Sequence, residues 1–207
     1  ERYGEGIQIW ANGDEYIGEW ENDERNGQGK QNWINGSKYN GAWTGSQLDK
    51  YHHALPYSEK SSFNGEGNYI DSVGNEYTGM WWMGKRSGIG TQIWVNGNQY
   101  IGGWKDNQRN GKGTQTWKDG DQYVGQWKDN KRTGEGIYTW KKNESQFDGK
   151  WIKNKPVSGR YKLKNGVVFL GQFDNKNESS FILKPGCIVG NCKNGFGVYV
   201  FSNGNIY

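Results

Sequence analysis

The chain has 207 residues, of which only 32% are hydrophobic, yet it contains 34 glycines and 12 tryptophans. Its apolar surface therefore lies in a few large rings, which argues both against a thick two-layer core and against disorder. The formal net charge is +4, with acidic and basic residues mixed along the chain. This pattern lacks the clustered basic excess of nucleic-acid binders, so we expect no nucleic-acid partner.

A pattern of aromatic residues and glycines repeats along the chain. Tyr-x-Gly-x-Trp begins at Tyr16, Tyr39, Tyr77, Tyr100 and Tyr123, and it recurs as Phe147-Asp-Gly-Lys-Trp151. We call these tyrosines and tryptophans the first ladder. A Gly-x-Gly follows, and each unit then usually ends in Trp before Asn-Gly or Asp-Gly; this second ladder consists of Trp10, Trp33, Trp94, Trp117 and Trp140. The usual step of 23 residues indicates a repeat array.

Each unit predicts a β-hairpin. In Tyr123–Trp127 the two-residue alternation of a strand places Tyr, Gly and Trp on one face. A glycine inside a strand implies a close approach, and we expect an aromatic ring from the neighbouring strand to lie across it. The segment "KDNKRT" predicts the loop within a hairpin, and Asn-Gly or Asp-Gly predicts a tight reversal to the next one.

The predicted fold is all-β: an elongated, twisted, single-layer antiparallel β-hairpin repeat array. It is expected to run through residues 1–207 as one continuous domain of about eight to nine units of about 23 residues. Fifteen extra residues before Tyr77 predict an insertion loop at 49–62, and shortened, degenerate repeats are expected at 169–206. Cys192 there replaces a ladder Trp, so we predict that it lies in the core. Both ends cut through the period, as expected for a portion of a longer array.

Tyr-x-Gly-x-Trp, a polar loop, Gly-x-Gly, a Trp and an Asn-Gly turn resemble the MORN repeat (membrane occupation and recognition nexus). The resemblance covers the chain apart from the insertion and weakens after Lys155. It implies a cytoplasmic, cytoskeleton- or cilium-associated protein, with roles such as those in radial-spoke heads, and self-association into longer structures. It also implies two other functions: peripheral attachment to membranes, and service as the targeting module of a larger enzyme.

Motifs for chemistry are lacking in the sequence. Gly-x-Gly recurs inside strands and lacks the third glycine before a helix, so it is no nucleotide fingerprint. Cys187 and Cys192 lack further ligands close by, and the pair His52-His53 lies in the insertion without a nucleophile at recognisable spacing. We therefore expect no enzyme activity, no cofactor and no metal site.

The ring-bearing face is the first candidate site. If the sheet curls, this face becomes an aromatic groove for a helix or an extended peptide of a protein partner. The alternative is that stacking consumes all the rings. The candidate groove residues are Tyr77, Trp81, Trp94, Tyr100, Trp104, Trp117, Tyr123, Trp127 and Trp140.

A row of arginines is the second candidate site. Arg25, Arg86, Arg109 and Arg132, with Arg2 before them, each stand two residues before a Gly-x-Gly. A basic edge of this kind suits anionic lipid or an acidic protein strip. The alternative is that these arginines are turn residues paired with acids such as Asp106 or Asp129. The sequence thus predicts a non-enzymatic scaffold, with an anionic-lipid attachment module as the rival.

Overall fold

A computed structural model describes residues 1–45, 61–173, 181–183, 186–191 and 196–200 of the chain. Every regular element in these residues is a β-strand. They are distributed over two units, Glu1–Gln108 and Arg109–Tyr207. Within each unit, strands that are neighbours along the chain are hydrogen-bonded and antiparallel, as expected for consecutive hairpins, except that the hairpin at residues 186–200 forms a sheet of its own.

The first unit contains eight strands that pair in chain order. They are β1 (Gly4–Ile9), β2 (Glu15–Glu21), β3 (Glu24–Asn32), β4 (Lys38–Gly45), β5 (Ser61–Ile70), β6 (Glu76–Trp82), β7 (Lys85–Ile93) and β8 (Gln99–Lys105). Because β5 begins at Ser61, residues 61 and 62 belong to a strand and not to the predicted insertion. The remaining residues of the insertion, including His52 and His53, lie outside the described part of the chain.

The second unit continues the pattern. Its main strands are β9 (Gln108–Thr116), β10 (Gln122–Lys128), β11 (Lys131–Trp140), β12 (Ser145–Ile152), β13 (Lys155–Lys162), β14 (Val168–Phe173) and β15 (Phe181–Leu183), while β16 (Gly186–Asn191) and β17 (Phe196–Val200) form a separate hairpin. Cys192 lies outside the described residues, so its core role stays a prediction. One continuous array over residues 1–207 also stays a prediction.

In the hairpins whose connection the structure describes, the turn is shorter than the sequence suggested. Strand β10 ends at Lys128 and β11 begins at Lys131, so only Asp129 and Asn130 connect them. Both have positive φ, 48° and 65°, as a two-residue turn with the right-handed twist of its strands requires. The expectation of a "KDNKRT" loop was therefore wrong, because Arg132 and Thr133 already belong to β11.

The turn between hairpins carries the second ladder. At Trp117 the N–H of Gly120 donates to the Trp117 carbonyl at 2.9 Å, and the Trp117 N–H donates to the Asp121 carbonyl at 2.9 Å. Gly120 has φ +88°, which explains the glycine of Asp-Gly at this position. Trp10, Trp33 and Trp94 make the same two bonds and so begin a tight reversal after a strand, whereas Trp140 is the last residue of β11.

The core is one face of the sheet in the first unit and of the larger sheet in the second, and the first ladder forms it. The tyrosines and Phe147 are 0–1% exposed and the tryptophans 3–6% exposed: Tyr16, Trp20, Tyr39, Trp43, Tyr77, Trp81, Tyr100, Trp104, Tyr123, Trp127, Phe147 and Trp151. Tyr123 meets Trp127 of its own strand edge-to-face at 5.3 Å and Trp151 of the next repeat at 5.1 Å. Within the first unit Tyr16, Tyr39 and Tyr77 contact the Trp of the next repeat in the same way, so the rings are buried without a second layer. The all-β hairpin array is confirmed.

The two glycines of Gly-x-Gly serve different needs. Gly134 has φ +57° beside an irregularity in the pairing of β10 with β11, a conformation that other residues adopt with strain. Gly136 instead lies under the Tyr123 ring, where an added Cβ would meet the hydroxyl oxygen at 2.3 Å. The expected ring over a strand glycine is thus found on the second glycine of the motif. At Gly125, by contrast, a Cβ would meet Tyr123 of its own strand and the facing Cα of Gly136.

Candidate protein-binding face

Six of the nine candidate groove residues are core residues. Tyr77, Trp81, Tyr100, Trp104, Tyr123 and Trp127 are each 6% exposed or less. The Tyr123 hydroxyl donates to the Gln126 carbonyl at 3.1 Å, and the Trp127 indole N–H donates to the Gly113 carbonyl at 3.2 Å. Burial raises the pKa of Tyr123 to about 12, so the phenol stays neutral. These six rings therefore form a packed layer under the accessible residues of the face.

The second ladder remains accessible on the same face. Trp94, Trp117 and Trp140 are half-buried, and Trp10 is 36% exposed. In the second unit, Tyr138 lies 5.3 Å from Trp117 and 4.7 Å from Trp140, and Trp140 lies 5.5 Å from Tyr161. These four rings form a strip of half-buried aromatic surface, which we call the unit-2 strip.

The arginine row packs against the first ladder. Each guanidinium lies over the Trp ring of the following repeat: Arg2 over Trp20 at 3.8 Å, Arg25 over Trp43 at 4.3 Å, Arg86 over Trp104 at 4.5 Å, Arg109 over Trp127 at 4.4 Å and Arg132 over Trp151 at 4.5 Å. This geometry is a cation–π contact. The row therefore takes part in stacking one repeat on the next.

Hydrogen bonds fix these guanidinium groups. Arg109 donates to the Gln115 side chain at 2.7 Å and to the Asn130 carbonyl at 3.1 Å, while its backbone N–H donates to Asn130 Oδ1 at 2.9 Å. Gln115 is only 2% exposed. Arg86 makes the same bonds to Gln92 and Asn107. The turn partners are thus the asparagines next to Asp106 and Asp129. A lipid phosphate would compete with these contacts for the same guanidinium groups.

The second ladder is interrupted in the first unit. Position 71 begins the same turn as the ladder tryptophans, because the Asp71 N–H donates to the Asn75 carbonyl at 2.9 Å and the Gly74 N–H to the Asp71 carbonyl at 3.0 Å. An aspartate thus replaces a ladder Trp. In the same repeat, Phe63 stands where the row has Arg, and Tyr69 stands where the two neighbouring repeats have Gln31 and Gln92.

A groove occupies this interruption. It has a volume of about 610 Å³, with Trp33 and Trp94 among its walls, Asp71 and Arg86 beside them, and Tyr77 and Trp81 beneath. Trp33 lies 6.1 Å from Phe63 and 6.2 Å from Tyr69. We call this space the Asp71 gap. The sequence pattern could have revealed it, because Trp33 and Trp94 stand two periods apart once the 15 extra residues are removed.

The opposite face carries an apolar patch in the first unit. Met80 is 38% exposed, Trp82 63%, Ile89 67% and Ile101 47%. Lys85 pairs in register with Trp82, so a cationic side chain borders the patch. Trp82 is the one tryptophan outside both ladders.

No helix in the described residues is long and apolar enough to span a membrane. In the same residues, no cluster of three or more histidine, cysteine or acidic side chains is arranged to hold a metal ion.

Comparison with known families gives one assignment. The MORN repeat family model matches residues 16–38, 77–99, 100–122, 123–145 and 189–206, together more than half of the chain. No curated protein sequence matches the chain.

Two solved structures illustrate the structural similarities. The chain is similar to the TCP domain of SAS-4 (dCPAP) of Drosophila melanogaster in complex with a proline-rich motif of Ana2 (dSTIL), with 12% identity over 80% of this chain and 88% of that chain and a TM-score of 0.42. It is also similar to the G-box domain of the microcephaly protein CPAP, with 11% identity over 99% of this chain and 97% of that chain and a TM-score of 0.34. Similarity at this level carries no argument about function.

Proposed function

The chain belongs to the MORN-repeat family, and we propose that it is a non-enzymatic scaffold that binds a protein partner along its second ladder. MORN repeats are typical of protein-interaction or membrane-binding modules. We further propose that the partner belongs to a cytoskeletal or ciliary assembly, as the family resemblance implies.

One observation carries the scaffold proposal: the two ladders divide the rings between core and surface. The rings of the first ladder are buried, pack edge-to-face and donate hydrogen bonds to backbone carbonyls. The second ladder instead presents half-buried rings at the ends of strands. Half-buried Trp and Tyr side chains on a rigid support are typical of binding hot spots, because they bury large area with little loss of conformational entropy. The unit-2 strip is the clearest surface of this kind.

Partner capture from a cytoskeletal or ciliary extract tests the proposal. The strip variant combines Trp117→Ser with Trp140→Ser. The control variant combines Val124→Ser with Ile137→Ser, which lie opposite each other in register on the other face and are 45% and 40% exposed. Melting temperatures establish that both variants are folded. We expect the strip variant to lose captured proteins that the parent and the control retain.

The reverse pattern, with capture lost only in the control variant, would contradict the proposal. Equal capture by the parent and both folded variants would also contradict it, since no partner would then depend on the second ladder.

A second candidate function is attachment to anionic membranes through the opposite face. The apolar patch of Met80, Trp82, Ile89 and Ile101 supports it, because exposed apolar side chains with Trp beside Lys suit a membrane interface. The arginine row supports it less, since its guanidinium groups are engaged by rings and glutamines.

Flotation with anionic liposomes at low and near-physiological salt tests this second candidate. Flotation that survives physiological salt and disappears when Trp82 and Met80 are changed to Ser would establish it. If the protein remains at the bottom of the gradient at both salt concentrations, membrane attachment through this patch is excluded.

A further inference from the structure

The Asp71 gap changes the surroundings of Arg86. In regular repeats the row arginine has a second-ladder Trp near it as well as the first-ladder ring: Trp10 lies 5.9 Å from Arg25, and Trp117 lies 5.8 Å from Arg132. The counterpart for Arg86 is position 71, where the side chain is a carboxylate. Arg86 keeps Trp104 at 4.5 Å and Tyr77 at 5.7 Å. Among the described residues, one aromatic neighbour of the regular repeat is therefore replaced by a carboxylate, and the groove lies beside it.

The two charged groups of the gap are held by their own neighbours. Asp71 Oδ1 accepts from the backbone N–H groups of Val73 and Asn75 at 3.0 and 2.9 Å, and Oδ2 accepts from Asn75 Nδ2 at 2.7 Å. Partial burial acts to raise the pKa of Asp71, but these hydrogen bonds outweigh it and hold the pKa below its usual value. The carboxylate is therefore ionised at neutral pH, and the hydrogen bonds of Arg86 fix the cation through Gln92 and Asn107.

We propose that the Asp71 gap binds an aromatic side chain with a hydrogen-bond donor, Trp or Tyr, from the protein partner, which completes the second ladder in trans. This proposal rests on the proposed scaffold function and names the anchor residue of the partner. An indole ring in the gap would present its negative face to the Arg86 guanidinium and its N–H edge to the Asp71 carboxylate.

Charge complementarity favours such a ring over an aliphatic side chain. A leucine would cover a carboxylate and a guanidinium with methyl groups that offer neither of them a favourable interaction. An indole or phenol matches both, because its ring face attracts a cation and its N–H or O–H donates to an anion. Trp33, Phe63 and Tyr69 supply further ring contacts on the other side of the gap.

Titration of the full chain with N-acetyl-L-tryptophanamide, followed by NMR, tests the proposal. The readouts are the assigned indole N–H resonances of Trp33 and Trp94 and the Arg86 Nε–H resonance, with the indole of Trp10 as an internal control. We expect saturable shifts at the first three groups and none at Trp10. The dissociation constant should be on the order of 1 mM, as suits a single-residue fragment. N-acetyl-L-leucinamide at the same concentrations should produce no saturable shift.

Two variants make the test specific to the gap. Asp71→Trp places the missing ring in cis, so it should abolish the shifts without lowering the melting temperature. Asp71→Asn keeps the shape of the side chain but removes its charge, and it should weaken binding by at least about fivefold, as loss of a charge-assisted hydrogen bond requires.

Absence of saturable shifts in the parent would overturn the proposal, as would equal shifts at Trp10 and Trp94. A third overturning result would be concentration-dependent self-association, seen by sedimentation, that Trp82→Ser abolishes and that competes with the probe; the occupant would then be Trp82 of a second copy. The partner-capture test on the unit-2 strip does not involve position 71, so the scaffold function can survive failure of this inference.

Discussion

The Tyr123 ring covers Gly136 so closely that an added Cβ at this glycine would meet the phenol oxygen at 2.3 Å and ring carbons at 2.6 Å. Tyr123 is fully buried, with Trp127 and Trp151 packed edge-to-face against it. The ring therefore cannot move aside without disturbing two repeats. Glycine is therefore required at position 136 by packing, since Gly136, unlike Gly134, does not have a positive φ.

Gly136→Ala should consequently destabilise the protein by about 1–3 kcal/mol through overpacking. Urea unfolding at equilibrium measures the loss, with Glu135→Ala on the exposed side of the same strand as the control. Equal unfolding midpoints for Gly136→Ala and the parent would mean that the ring does not lie over this glycine.

Tyr123→Phe removes a hydroxyl but keeps the ring. We expect a loss of about 0.5–1.5 kcal/mol in the free energy of unfolding, because the hydrogen bond to the Gln126 carbonyl disappears while the packing remains. Phe147 occupies the equivalent position of the next repeat and is fully buried, so the array accommodates phenylalanine there. A loss as large as that for Tyr123→Ala would contradict this division between ring and hydroxyl.

Alkaline pH should unfold the array through its buried tyrosines. Burial raises the pKa of Tyr16 and of Tyr123 to about 12, whereas an unfolded tyrosine has a pKa of about 10. The folded state therefore holds the phenol proton more tightly, and this contribution to stability is complete below about pH 10 and lost as the pH rises toward 12.

Urea midpoints measured from pH 7 to pH 11 follow this loss. If these tyrosines determine the pH dependence, the urea midpoint should be constant up to about pH 9 and should fall above about pH 10. The fall should be less steep in Tyr123→Phe, which has one titrating group fewer. An identical slope in the two proteins would show that Tyr123 does not titrate with a raised pKa.

Arg109→Lys preserves the charge of the row but should lower the free energy of unfolding by about 1–3 kcal/mol. Lysine cannot reproduce the planar guanidinium that lies 4.4 Å from the Trp127 ring centre and donates to Gln115 and Asn130. The matched control is Lys112→Arg, an exchange at an exposed position, which should change stability by less than about 0.5 kcal/mol. If Arg109→Lys is as stable as the parent, the row is not a stacking device.

The sequence predicted the hairpin array because its signals are periodic. The alternation of Tyr123, Gly125 and Trp127 identified the buried face of a strand. In the structure the Tyr123 and Trp127 side chains are buried on that face, with Gly125 between them. The short turn at Asp129 and Asn130 was missed, because two successive residues with positive φ leave little trace when neither is glycine.

The candidate site was less accessible to sequence analysis. Both ladders contain tryptophan, and only the packing of neighbouring repeats decides that Trp104 is buried while Trp94 is half-buried. The spacing of the arginine row is visible in the sequence, but the direction in which its side chains point is not. A cation–π contact between repeats can be recognised only in the three-dimensional structure. The Asp71 gap, in contrast, is visible as a missing rung of the second ladder.

The central claim is that the rings of the first ladder form the core while those of the second ladder are accessible to a partner. Hydrogen exchange of the indole N–H groups tests this claim most directly. First-ladder indoles such as Trp104 and Trp127 donate to glycine carbonyls at 3.2 Å and are almost fully buried. We predict that their indole protons exchange orders of magnitude more slowly than those of Trp94 and Trp117 in the same sample. Equal protection in both sets would contradict the account, because the second ladder would then be as enclosed as the first and would offer no surface to a partner.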